Sequence, residues 1–120
     1  MDIREFYDRT GGDFEAAMKR LMKETRVEKF VRMFPDDPSY RELESNLALN
    51  NVKEAFRAAH TLKGVCMNLS FTKLYRSVNE VTESLRSADP DKAEIPFHKN
   101  LFRVSIAFHR VFLERPVIQC

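Results

Sequence analysis

The sequence predicts an all-α fold, an antiparallel four-helix bundle with additional short helices at its amino end. Three observations carry this. Apolar residues recur three and four positions apart in one segment after another, which is the spacing of a helix face. No segment alternates apolar and polar residues as a half-buried strand does, and no internal repeat or low-complexity stretch interrupts the pattern. The connections are short and rich in Pro, Asn, Asp and Gly, so successive helices must run antiparallel. A chain of 120 residues with 43% hydrophobic content suits one domain, residues 1–120, around a single core.

Taken in order, Met1 to Arg9 forms a short helix with Ile3, Phe6 and Tyr7 on one face, ended by Thr10-Gly11-Gly12. Asp13 caps the next, in which Phe14, Ala17, Met18 and Leu21 keep helical spacing. A break is expected at Thr25, after which Val27, Phe30, Val31 and Phe34 repeat the pattern, so that short helices fill residues 1–34. Pro35-Asp36-Asp37-Pro38 stops them. Pro38 suits a first helical position with Asp37 as its cap, opening a helix with Tyr40, Leu43 and Leu47 that ends near Leu49. Asn51 and Glu54 have the capping-box spacing that starts a helix over about 51–69. Ser70-Phe71-Thr72 is a tight connection, and Leu74, Val78, Val81 and Leu85 mark a further helix to about Ala88. After the polar loop Asp89-Pro90-Asp91-Lys92, a last helix over about 96–115 carries Leu101, Val104, Phe108 and Val111 on its inner stripe.

Composition excludes several function classes. A formal net charge of +2 with both signs interspersed gives no basic field of the kind nucleic-acid binding needs. Two cysteines, Cys66 on an apolar stripe and Cys120 at the end, supply neither a disulfide framework nor a thiolate metal site. No second histidine lies at ligand spacing from the first, and no paired carboxylate-histidine pattern is present, so a metal or haem site lacks its ligands. No apolar run approaches the roughly 18 residues of a spanning helix, and no charged-then-apolar leader opens the chain. These features lead to the expectation of a cytoplasmic domain with no membrane and no nucleic-acid partner; the starting methionine suits a free-standing chain, and a piece of a larger protein would look the same.

The informative stretch is Ala58-Ala59-His60-Thr61-Leu62-Lys63-Gly64-Val65-Cys66-Met67-Asn68-Leu69. Glycine inside a helix costs about 1 kcal/mol relative to alanine, and this chain has only three glycines. Its use at position 64 suggests that something approaches the backbone there. Val52, Ala55, Ala59, Leu62, Cys66 and Leu69 form the apolar stripe, and His60 falls about a third of a turn from its centre, which makes it accessible. Arg57 and Lys63 bracket the imidazole, and Gly64 lies one turn beyond it. A histidine with open space beside it and cations in reach suits an anion. His98 and His109, with no such neighbours, read as ordinary surface residues. Phe56 and Met67 near His60 serve either as core edge or as docking surface. Asn79, Thr82 and Arg86 follow a stripe of the next helix beside its core positions, where they are expected to border the site.

With these residues laid out, Ala59-His60-Thr61-Leu62-Lys63-Gly64 followed by Asn68-Leu69 resembles the signature of histidine-containing phosphotransfer domains, the relay modules of multistep two-component signalling. The likeness is best from about Phe34 through Arg86, including Pro35-Asp36-Asp37-Pro38-Ser39-Tyr40 and Ala55-Phe56-Arg57-Ala58; the last helix matches only in kind. Cys66 and Ser70 depart from the family's usual small residue and glycine. The resemblance implies a four-helix bundle whose exposed histidine passes a phosphoryl group between aspartates of receiver domains. It makes His60 the phosphoacceptor, Lys63 the group that steadies the phosphoryl oxygens, and Gly64 the room for them. It also implies that the partners are response-regulator receiver domains, including that of a hybrid histidine kinase, and that Mg2+ belongs to the receiver, with no cofactor bound by this chain. The chain has no Gly-rich phosphate loop, so neither ATP binding nor autokinase activity is expected. A monomer is expected. The reading that competes with phosphotransfer is a non-catalytic helical module that docks a receiver or kinase and in which His60 is incidental; a plain structural bundle is a third.

Overall fold

The structure, a computed structural model, describes residues 2–87. These are all-helical, with six α-helices and no strand among the described residues. The expected last helix over about 96–115, with His98 and His109, lies outside them.

The first helix, α1 (Ile3–Thr10), is capped by Asp2, whose side chain accepts the Glu5 N–H, and is closed by Gly11 in the left-handed region at φ 75°. An L-residue with a side chain is strained there, which is why glycine ends this helix. Asp13 caps α2 (Phe14–Leu21), accepting from Ala16 N at 3.1 Å. The break after α2 comes at Met22-Lys23, ahead of the expected Thr25. Met22 turns left-handed at φ 74° and Lys23 is extended, while the Arg26 guanidinium donates to the Leu21 carbonyl and covers the freed helix end.

The next helix, α3 (Glu24–Met33), runs into a 3₁₀ turn over Phe34–Asp36. Asp37 accepts from Ser39 N at 2.9 Å and from the Ser39 hydroxyl at the start of α4 (Ser39–Ala48), whose cap position is Pro38, one residue later than expected. The Asn51 side chain accepts from Glu54 N at 3.3 Å and starts α5 (Val52–Asn68). Ser70, at φ 53°, turns the chain, with Phe71 N donating to Cys66 O at 3.0 Å, and α6 (Thr72–Arg86) follows.

The core is the α5 stripe read from the sequence. Val52, Ala55, Ala59, Leu62, Cys66 and Leu69 are all buried, together with Tyr40 and Leu43 of α4 and Leu74, Val78, Val81 and Leu85 of α6. Helix α5 packs against α4 and against α6. Each large apolar side chain removed from water adds roughly 1.5–3 kcal/mol to the driving force. Burial and the charge of Asp37 push the Cys66 thiol well above its ordinary range, so it remains a neutral, unreactive packing residue.

A second, aromatic cluster fixes the amino end to the α5–α6 turn. The Phe71 ring lies 5.1 Å from Phe34, 5.5 Å from Tyr7 and 6.3 Å from Phe6. The Tyr7 hydroxyl donates to Leu69 O at 2.8 Å, Asp13 N to Ser70 O at 2.8 Å, and Lys73 N to Gly11 O at 3.1 Å. These bonds hold the carboxyl end of α5 in place and leave its middle free of cover from α1.

Candidate functional site

Among the polar residues of α5, His60 stands out on its exposed side. At about 100° per residue, Phe56 and Lys63 fall to one flank of His60, and Arg57 and Gly64 to the other. The contacts follow this division. On the first flank the imidazole stacks on Phe56, with ring centroids 6.1 Å apart and planes at 23°. The Arg86 guanidinium of α6 lies 5.0 Å from the centroid of the same Phe56 ring. Lys63 reaches towards α6 as well: its ammonium is 3.9 Å from Glu83 Oε1 and 6.0 Å from the Tyr75 ring centroid. Glu83 in turn holds Arg86 Nε at 3.2 Å.

On the other flank the described residues leave space beside Gly64. A Cβ built on Gly64 meets nothing within 4 Å among the described residues, so close packing against another described helix does not explain this glycine. Arg57, beside it, pairs with Glu54 at 3.3 Å, and the Thr61 hydroxyl donates to the Arg57 carbonyl. Next to Gly64, from Val65 on, lies a mainly apolar groove of about 460 Å³ lined by Leu21, Phe30, Met33, Phe34, Val65 and Leu69 together with Asp36, Asp37 and Asn68. Met67 lies two turns along from His60 and is 43% exposed, while its carbonyl accepts from Arg20 at 2.6 Å.

The structure thus brings His60, Phe56, Lys63, Gly64 and Arg86 together, with Arg57 and Met67 on the same exposed face. It does not bring Thr82 there. Thr82 is fully buried and its hydroxyl donates to Val78 O at 2.8 Å, so its expected place at the border of the site is corrected to the core of α6. A hydroxyl satisfied by the carbonyl one turn back is tolerated on an apolar stripe. Asn79 is half-buried. Sequence reasoning passed over Glu83 and Tyr75. The Glu83 and Arg86 spacing is visible as an i,i+3 pair, whereas the approach of Lys63 to α6 depends on how two helices meet.

Chemically, the site offers an accessible imidazole, space beside Gly64 among the described residues, and cations held by the half-exposed Glu83 and by aromatic faces. Exposed ion pairs are worth about 0–1 kcal/mol, so Lys63 and Arg86 are readily recruited by a stronger anion. Among the described residues no group of three His, Cys, Asp or Glu side chains is placed to hold a metal ion, and no helix is long and apolar enough to cross a membrane.

Comparison with known proteins gives one match. The family model described as Hpt domain matches residues 27–108, more than half of the chain, from within α3 through the site. No curated protein and no solved structure matches the chain.

Proposed function

The chain belongs to the Hpt domain family, and on that premise we propose that it relays a phosphoryl group through His60 between aspartates of receiver domains. Membership ties it to histidine phosphotransfer in two-component phosphorelays, and makes it a phosphocarrier module of a class that has no kinase activity of its own and meets response-regulator receivers. The observation that carries the finer reading is the exposed His60 with open backbone at Gly64 one turn beyond it.

In this mechanism the unprotonated ring nitrogen of neutral His60 attacks the phosphorus of a receiver's aspartyl phosphate. A P–N bond forms as the P–O bond to the aspartyl group breaks, and the aspartate leaves as a carboxylate. The second ring nitrogen keeps its proton, giving a phosphoimidazolium. Attack by the carboxylate of the next receiver reverses these steps. Phosphoryl transfer asks for in-line positioning and charge stabilisation. Gly64 supplies the space, while Lys63 and Arg57 supply positive charge. Phe56 and Arg86 fix the imidazole and the rim against which a receiver docks, and Met67 extends that rim. The receiver brings the Mg2+ and its acidic pocket; this chain binds no cofactor and does not phosphorylate itself from ATP. It acts as a cytoplasmic monomer, and the receivers include that of a hybrid histidine kinase.

The test is transfer from phosphorylated receiver domains, read by intact mass and by the acid lability and base stability of phosphohistidine. Wild type gains the label and His60→Gln does not, with its helical circular dichroism unchanged. A His60→Gln protein that still takes the phosphoryl group refutes the assignment. Receivers that bind without ever labelling the wild type would make the chain a docking module.

A further inference from the structure

Glu83 sits between the two cations of the α6 flank, 3.9 Å from the Lys63 ammonium and 3.2 Å from Arg86 Nε. Lys63 is only 20% exposed at its side chain, so this contact is partly sheltered from water and screened less than a fully exposed pair. Arg86 also covers the ring on which His60 stacks. One carboxylate therefore engages both cations on the α6 flank of His60.

A phosphoryl group on His60 carries close to two negative charges and three acceptor oxygens. Lys63 stands three residues from His60 on the same helix, a neighbouring position from which a four-carbon stem reaches either way. The cations are then contested. To pair with the phosphoryl oxygens Lys63 must leave Glu83, and the vacated carboxylate adds a like charge to the same neighbourhood. Resting on the phosphotransfer reading above, we propose that Glu83 is a positioning residue that sets how tightly His60 holds its phosphoryl group, weakening the hold by retaining Lys63 and Arg86. A relay intermediate has to release what it accepts, and a competing carboxylate on α6 biases the exchange towards release.

The experiment uses the full chain and a receiver domain that labels the wild type. The phosphoryl group is allowed to partition to equilibrium, and the ratio of phosphorylated His60 protein to phosphorylated receiver is measured. In Glu83→Gln this ratio rises roughly two- to fivefold, the order of a weak, partly exposed ion pair, and the gain shrinks at high salt. Glu42→Gln, an exposed carboxylate of α4, leaves the ratio unchanged. Introduced into Lys63→Gln, the Glu83→Gln change produces less than half of that gain. An unchanged or lowered ratio in Glu83→Gln overturns the proposal, as does a full gain in the absence of Lys63. A wild type that no receiver labels removes the phosphotransfer reading and this inference with it, whereas a labelled wild type with an unmoved Glu83→Gln ratio removes only the inference.

Discussion

A methyl group placed on Gly12, in the turn between α1 and α2, would stand 2.7 Å from a ring carbon of Tyr7 and 3.1 Å from the Ser70 carbonyl oxygen; one placed on Gly64, in the middle of α5, would meet no atom of the described residues within 4 Å. Both are glycines, but the first is required by what already fills its surroundings and the second leaves a volume unfilled. Around Gly12 the chain is packed and hydrogen-bonded: Tyr7 is fully buried with its hydroxyl on Leu69, and the neighbouring Asp13 N–H is on Ser70. Around Gly64 the helix gives up about 1 kcal/mol of propensity and gains no contact in return. The described residues are tightly packed around Gly12 and leave space beside Gly64, where the proposed function puts the incoming phosphoryl group.

This contrast is sharpened by substitution. Gly12→Ala has the largest expected effect: the ring and backbone it meets cannot swing aside, and overpacking of this kind costs about 2 kcal/mol. A denaturation midpoint equal to wild type would show that the turn yields, and would remove the difference between the two regions. Tyr7→Phe, which deletes the hydroxyl bonded to Leu69 O, lowers stability by about 1 kcal/mol and leaves His60 labelling intact. Transfer that collapses in this variant would mean that the two ends of α5 are not independent. Gly64→Ala has the smallest effect on stability and the opposite sign. It stabilises α5 by roughly 0.5–1 kcal/mol yet, on the proposed function, slows phosphoryl transfer, because the new methyl group would stand where that reading puts the phosphoryl oxygens. A faster or unchanged rate would assign Gly64 no part in the chemistry.

Much of this was legible in the sequence because it is local. Asp13 and Asn51 cap the helices that follow them, Asp37 bonds Ser39 at the start of α4, and the six-residue stripe of α5 is buried as its period requires. The exposure of His60 and the opening at Gly64 follow from the same helical arithmetic. What escaped depends on contacts between elements or on backbone choices that propensity does not signal. Met22 adopts a left-handed φ without being glycine, which moved the α2–α3 break ahead of Thr25. Thr82 belongs to a wide stripe with Val78, Val81 and Leu85, and its hydroxyl is satisfied within its own helix, so polarity alone misplaced it. The hold of Glu83 on Lys63 joins two helices and has no signature in either one.

The bonds that tie the α1–α2 turn to the far end of α5 also order events during synthesis. Tyr7 precedes its acceptor Leu69 by 62 residues, and Gly11 waits in the same way for Lys73. At a ribosomal rate of about 5–20 residues per second, the amino end spends on the order of several seconds without these partners. An eight-residue helix such as α1 does not persist alone in water for that time. Phe6, Tyr7 and Phe14 are therefore made as an aromatic segment without its cover until the α5–α6 turn emerges to receive it.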